Sequence, residues 1–243
     1  MEESRYSRQL HCTANFKQAA LSDAVVLIAG MGGLGTSVST ALVAAGCGTL
    51  ILCDPDTIAL SNLNRQFLYK ETDIGKKKVT VAVKRLKAIN GDPDFIAIDG
   101  RFNDQPLPAS IKPQLLLDCL DNLEGRIELI DYAAKNNIPL VHGAVDGFMG
   151  QLSVFIPGES ACPVCSLSGD MDQNDAPIPS LGACVTVLAG LQATESIKFF
   201  TNSGDLCINK FMFFDGLSTT LDAMILERDH NCIACSKYLS HGL

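Results

Sequence analysis

The chain has 243 residues, 47% of them hydrophobic, with a formal net charge of −8 and ten cysteines. That length and composition support the core of one large or two small α/β domains, and the acidity argues against nucleic acid as the main partner. No run approaches the roughly 18 continuous apolar residues of a membrane span, and the opening M-E-E-S-R-Y has neither a basic nor an apolar leader, so the expectation is a cytoplasmic protein whose thiols serve metal or thiol chemistry rather than disulfides.

Residues 5–22 read as a polar arm carrying Arg5, Tyr6 and Arg8, then a short helix that Ser4 or Ser7 caps and Leu21 folds onto a sheet. Residues 25–29 (V-V-L-I-A) form a buried strand that enters a glycine turn at Gly30, Gly32, Gly33 and Gly35. A helix of small residues follows, and a second apolar strand over 49–53 ends in Asp54. This is the strand, turn, helix and strand of a nucleotide-binding βαβ unit. The glycines allow a tight turn and let phosphate approach bare N–H groups, and Asp54 is placed to accept hydrogen bonds from ribose hydroxyls.

The loop after Asp54 runs D-P-D-T-I-A-L-S-N-L-N-R-Q-F-L-Y, longer than the usual connection and dense in groups that grip phosphate, notably Asn62, Asn64 and Arg65. Thr72 or Asp73 begins the next turn, and Lys76 opens an amphipathic helix with Val79, Val83, Leu86 and Ile89 on its apolar stripe, joined in part by Val81. Three lysines where the helix dipole favours anions fit a bound anion between them and the helix end, or else a solvated basic turn. Strands are expected over 95–98 and 114–118. The second ends in D-C-L-D-N, so Asp118, Asp121 and Asn122 lie at a carboxyl edge, where two acids beside phosphate suit Mg²⁺ and where Asp121 or Asn122 also suits a helix cap.

The spacing then predicts a helix over 126–136, a strand over 139–144, an antiparallel strand over 151–156, an irregular crossover over 157–181, a helix from about 181 to 200 and a hairpin of 208–215 with 219–226. Two C-x-x-C pairs, Cys162 with Cys165 and Cys232 with Cys235, supply four thiolates for structural Zn²⁺, a clip that would pin the crossover to the C-terminal tail. A redox dithiol would need only one pair. Cys12, Cys47, Cys53, Cys119 and Cys207 are expected to be buried small residues.

Taken together, R-Y-S-R-Q, G-M-G-G-L-G, D-P-D followed by S-N-L-N-R-Q, G-K-K-K, D-C-L-D-N and the paired C-x-x-C resemble the MoeB/ThiF/HesA family, prokaryotic relatives of the ubiquitin-activating enzymes. The resemblance covers nearly the whole chain. It implies one adenylation domain over 1–243, with a nucleotide-binding half of about 1–145 and a second half of about 146–243 that holds the crossover and zinc site. The implied fold is α/β: a Rossmann-like, mostly parallel sheet flanked by helices, extended by antiparallel strands on the C-terminal side, with a four-cysteine zinc clip.

The function implied is ATP-dependent adenylation of the C-terminal glycine of a small ubiquitin-like sulfur carrier ending in Gly-Gly, with release of pyrophosphate ahead of thiocarboxylate formation. By the family pattern Arg65 and Lys78 lie at the phosphates and Asp121 holds Mg²⁺. Asp54 takes the ribose, and Gly30, Gly32, Gly33, Gly35, Asp56, Ser61, Asn62, Gln66 and Asn122 complete the ATP site. Arg8 resembles an arginine that enters the neighbouring subunit's site, which implies a homodimer. Relatives often carry a cysteine in the crossover where Asp175 stands here, and Cys184 falls in the apolar opening of the following helix. The expectation is therefore adenylation without an obligatory enzyme thioester, with sulfur from a separate donor or from sulfide. The alternatives are a cyclase that adenylates a threonylcarbamoyl group on tRNA, an enzyme that adenylates a ribosomal peptide, and, in a different class, an NAD enzyme or nucleotide-binding scaffold.

Overall fold

In the computed structural model, which describes residues 4–13, 16–166 and 178–238, apolar runs too short for helices become the centre of one sheet. Strands β1 (Val25–Ala29), β2 (Thr49–Cys53) and β4 (Leu115–Asp118) are buried along nearly their whole length. With β3 (Asp94–Ile98), β5 (Leu140–Asp146), β6 (Met149–Phe155), β7 (Lys210–Asp215) and β8 (Thr220–Ile225) they make eight strands in the order β3-β2-β1-β4-β5-β6-β7-β8. The pairings from β3 through β5 are parallel, and those from β5 through β8 are antiparallel. The expected parallel sheet with an antiparallel extension is therefore observed.

Helices α1 (Gln18–Ser22), α2 (Gly33–Ala45), α3 (Lys78–Ile89), α4 (Leu123–Asn136) and α5 (Gly182–Thr201) flank the sheet. The long helix α5 packs on α2, β5 and β6. One apolar core gathers α2, α3 and α5 over one face; a second sets α4 and the four paired cysteines against the other. Two covered faces explain why β1 and β4 carry no polar alternation. Among the described residues, no helix is long and apolar enough to cross a membrane.

Several boundaries differ from the sequence expectation, each for a local reason. Ser4 and Ser7 do not cap α1: the Ser4 N–H donates to Ser7 Oγ at 3.0 Å, and that hydroxyl returns to the Ser4 carbonyl at 2.7 Å. α3 starts at Lys78 rather than Lys76, because Lys77 bridges Thr57 in extended conformation and the Lys78 N–H is taken by the Asp56 carbonyl at 3.1 Å. Its buried residues are Lys78, Val79, Val81, Ala82 and Leu86, with Val83 and Ile89 only half-buried, so the stripe is rotated toward Ala82. α4 begins at Leu123, earlier than expected, because Asn122 caps it by accepting from the Gly125 N–H at 2.8 Å. Cys47, Cys53, Cys119 and Cys207 are buried as expected, whereas Cys12 is exposed, on an arm that is tied down through Tyr6 and Gln9.

Backbone meets backbone at the start of α2. A Cβ on Gly35 would sit 1.9 Å from the Gly30 carbonyl oxygen, and Gly30 itself has φ +94° with the Cys119 carbonyl 2.7 Å from where a Cβ would stand. Substitution Gly35→Ala is expected to destabilise the protein by about 3 kcal/mol or more, read as a lower urea midpoint, because backbone rather than a flexible side chain would have to yield. An unchanged midpoint would show that the turn has slack.

Candidate adenylation site and four-cysteine cluster

The sheet order places β1 beside both β2 and β4, so the chain reverses direction across the sheet at the carboxyl ends of β1 and β4. Ligands of open α/β sheets bind in that crevice. α2 starts there with no side-chain cap and no acid in its first turn. Its first N–H groups thus face the crevice with the positive end of the helix dipole and no side chain to satisfy them, a ready anion site.

The turn is fastened from three sides. Asp54, at the end of β2, accepts from the Met31 N–H at 2.7 Å and the Asp56 N–H at 2.8 Å. Burial raises the Asp54 carboxyl above its usual range, opposed by the Lys78 charge and these backbone donors. The Tyr69 hydroxyl donates to the Met31 carbonyl at 2.9 Å, and the Gly30 N–H donates to the Cys53 carbonyl at 2.8 Å. Asp54 is therefore first a clamp on the glycine turn, and ribose contact would be additional to that duty.

Cations and polar groups line the rim. The Lys78 ammonium is buried, 2.7 Å from Asp56 Oδ2 and 3.5 Å from Asp54 Oδ2. Lys76 pairs with Asp73 and Lys77 with Asp99, so the three lysines at this helix start are held by carboxylates. Arg65 is half-buried; its Nη1 donates to the Ser61 carbonyl and to Asn64 Oδ1, both at 3.0 Å, and its Cγ lies 3.4 Å from where a Cβ on Gly33 would stand. Asn62 accepts from the Ala59 N–H at 2.9 Å and so shapes the loop. Gln66 lies beside Gly32; its buried Oε1 has no hydrogen-bond partner among the described residues. Asp121 and Asn122 stand exposed after β4, with Asn122 occupied as the α4 cap.

Asp118 is not one of a pair of open carboxylates. It is fully buried, with the Arg126 Nε at 2.9 Å and His142 Nδ1 at 2.7 Å on Oδ2, and the Leu120 N–H at 3.1 Å on Oδ1. Of the two, Asp121 is the exposed one; Asn122 Nδ2 donates to its Oδ1 at 3.4 Å, which leaves Oδ2 to face a cation. Arg8 lies away from this chain's own crevice: Gln9 beside it donates to the Ala45 carbonyl at 2.7 Å, and Arg5 to the Ile89 carbonyl at 3.0 Å, at the far ends of α2 and α3. The 13 residues of α2 span about 20 Å between those ends.

Arg126, His142 and Gln192, which surround Asp118, and Gln151 behind His142 were not evident in the sequence. A histidine inside an apolar strand and an arginine one turn into a helix were the available signals. Burial pushes Asp118 up, but the Arg126 charge and the His142 hydrogen bond outweigh it and hold the carboxyl below its usual range. Burial first, then the Arg126 charge, hold His142 below its usual value against the pull of Asp118.

The four paired cysteines converge. Cys162 Sγ lies 3.6 Å from Cys232 Sγ and 3.7 Å from Cys165 Sγ, and Cys165 Sγ lies 3.6 Å from Cys235 Sγ. All four are buried, and their sulfurs lie within 4.8 Å of one another. A disulfide would need about 2.05 Å, whereas four sulfurs about 2.3 Å from one Zn²⁺ stand about 3.8 Å apart. The spacing and the donor set fit a closed tetrahedral site. The cluster joins the turn Pro163–Ser166 to the tail after β8, and Arg228 reinforces it by donating to the Ser160 carbonyl at 2.9 Å. Cys184 is buried at the start of α5; Asp175 lies outside the described residues.

The doubly wound sheet, the bare helix end and the cationic rim define a nucleotide-binding α/β enzyme, and comparison with known proteins makes the class specific. The profile of the ThiF family matches residues 6–234. The chain is 36% identical over 241 residues to the sulfur carrier protein ThiS adenylyltransferase of Escherichia coli, covering 95% of this chain and 94% of that one. It is 33% identical to the molybdopterin-synthase adenylyltransferase of Salmonella typhimurium, covering 97% of each. The solved structure of E. coli MccB with ATP superposes with a TM-score of 0.84 at 27% identity, over 97% of this chain and 74% of that one. The chain belongs to the ThiF family, and it is an adenylyltransferase.

Two measurements check this geometry. Zinc content by atomic absorption is expected to be lower in Cys232→Ser than in the parent protein, and the melting temperature lower by several degrees, since a structural metal site contributes its binding free energy to folding. His142 has a lowered folded pKa, so the unfolded chain binds its proton more readily; stability should fall as pH drops below about 6.5. The melting temperature should therefore decline from about pH 7.5 to about pH 5.5 less steeply in His142→Gln than in the parent protein.

Proposed function

We propose that this chain is a single adenylation domain that transfers AMP from Mg·ATP to the C-terminal glycine carboxylate of a small ubiquitin-like sulfur carrier, as a homodimer. The observation that carries the reading is the uncapped start of α2, with Arg65 packed against Gly33, Lys78 paired to the Asp54 that holds the Met31 N–H, and Asp121 exposed three residues beyond β4. Names of relatives matched over nearly their full length, ThiS and molybdopterin-synthase adenylyltransferases, support a carrier protein as acceptor.

The chemistry makes demands that these residues can meet. A carboxylate approaching a polyphosphate is repelled, so fixed positive charge must screen it and hold the departing pyrophosphate. Arg65 and Lys78 supply that charge. Lys78 is parked on Asp54 and Asp56 with one donor direction left, and phosphate oxygens at the α2 end would take it. Asp121 would hold Mg²⁺, which neutralises phosphate charge when bound. The carrier's carboxylate oxygen bonds to the α-phosphorus as the bond to the β-phosphate bridge breaks, giving an acyl-adenylate and pyrophosphate. Gly30, Gly32, Gly33 and Gly35 leave the helix end uncovered for the nucleotide, and Asp54, Asp56, Ser61, Asn62, Gln66 and Asn122 border it. The four-cysteine cluster would hold structural zinc, away from this chemistry.

Arg8 acts in the neighbouring subunit on this reading, because its own crevice lies at the other end of α2. Cys184 is buried and so poorly placed as a nucleophile; on this reading no enzyme thioester forms, and sulfur arrives from a separate donor or as sulfide acting on the adenylate. The likeness to MccB, a Microcin C7 biosynthetic enzyme also solved in complex with N-formylated MccA, supports as the second reading the peptide-adenylating enzyme named among the sequence alternatives.

Pyrophosphate exchange into ATP should require a carrier with a free C-terminal glycine. Arg65→Ala and Asp121→Ala should each lower exchange by at least about a hundredfold with unchanged melting temperature. Exchange supported by a short peptide and by no carrier would select the second reading. Mixing equal amounts of the inactive Arg8→Ala and Arg65→Ala proteins should restore about a quarter of the parent activity, the fraction of sites in a randomly assorted dimer that receive both intact arginines. No recovery on mixing would place Arg8 in its own chain's site.

A further inference from the structure

Asp121 is exposed and follows directly on a segment that is tied at every other residue. The Leu120 N–H donates to Asp118 Oδ1 at 3.1 Å, and the Leu120 carbonyl accepts from Arg126 Nη2 at 2.9 Å. On the other side of Asp121, Asn122 Oδ1 accepts from the Gly125 N–H at 2.8 Å. Below, Gln192 Nε2 donates to the Asp118 carbonyl at 3.0 Å and to that of Val141 at 3.3 Å. A Cβ on Gly30 would stand 2.7 Å from the Cys119 carbonyl oxygen, and the Cys119 N–H donates to the Ala29 carbonyl at 3.0 Å, so the segment packs directly on the glycine turn.

One guanidinium connects these ties. Arg126, on the first turn of α4, donates through Nε to the buried Asp118 carboxylate at 2.9 Å and through Nη2 to the carbonyl that immediately precedes Asp121. His142 closes the far side of the same carboxylate at 2.7 Å, and its Nε2 faces Gln151 Nε2 at 3.2 Å. A buried ion pair of this kind is no better for stability than apolar packing of the same volume. Here it spends both arms of a rigid fork on one short segment, a geometry that lysine cannot reproduce.

We infer that Arg126, with Asp118 as its buried counter-charge, is a positioning residue that sets the Asp121 carboxylate at the anion cradle for a divalent cation. The inference rests on the role of Asp121 given under the proposed function. Holding the carboxylate in place before the cation arrives removes an ordering cost from binding, as partners behind a metal ligand do elsewhere. His142 and Gln192 keep Asp118 itself from turning.

Manganese binding to the full-length protein with a non-hydrolysable ATP analogue, followed by electron paramagnetic resonance, tests this apart from turnover. Removing Arg126 alone would strand a buried charge, so the paired variant Asp118→Asn with Arg126→Met is compared with Arg126→Lys. Both are expected to bind Mn²⁺ about tenfold more weakly than the parent, and to raise the Mg²⁺ concentration for half-maximal exchange by a similar factor, with most of the rate regained at saturating Mg²⁺. Unchanged Mn²⁺ affinity in both variants, while Asp121→Asn loses it, would overturn the positioning role and leave the pair purely structural. Unchanged affinity in Asp121→Asn itself would instead overturn the reading of Asp121 on which the inference stands.

Discussion

The approach of the α2 N-terminus to the end of β1 is the constraint from which the crevice follows. A Cβ on Gly35 would stand 1.9 Å from the Gly30 carbonyl oxygen, so the helix starts hard against the end of β1, and Gly32 at its N-cap has no side chain to cap it. The uncapped N–H groups carry about half a positive charge with no side-chain partner. That is a local cost in the free protein and a site in the bound one. Asp54, Tyr69 and the Cys53 carbonyl hold the turn in this state from β2 and the following loop. Three separate stretches of sequence thus converge on one backbone geometry.

Charge is managed locally. A net charge of −8 opposes a polyphosphate at long range, but at physiological salt that field fades over about 8 Å. What matters is the immediate wall of the crevice, and there every lysine at the start of α3 is matched by a carboxylate. Lys78 in particular is buried against Asp54 and Asp56. The same carboxylates that keep the ammonium folded inward also hold it next to the helix end.

Much of this was legible in the sequence, because periodicity and punctuation report local physics. The V-V-L-I-A run, the glycines and Asp54 specify the βαβ unit through short-range sterics. The two C-x-x-C pairs announced a four-sulfur cluster although nothing local said that they would meet. What was not legible depends on contacts between distant segments. Asp118 looked like a metal-facing acid because sequence shows its position at a strand end but not the Arg126 and His142 that enclose it. Cys12 was grouped with the cysteines of apolar or strand context, whereas its exposure follows from how Tyr6 and Gln9 tie the arm to the ends of α2 and α3. Helix starts moved by two or three residues where a cap or a bridge to another loop set the boundary, as at Asn122 and Lys77.

The sulfur cluster also imposes an order on how the protein is made. Cys162 and Cys165 lie 70 residues ahead of the partners they touch. At about 5 to 20 residues per second, the first pair leaves the ribosome some 4 to 14 seconds before the second. During that interval two reactive thiols wait beside an unfinished sheet edge. Closure therefore marks completion of α5 and the final hairpin, and a chain interrupted before Cys232 is left with an open pair that oxidants and stray metals can reach.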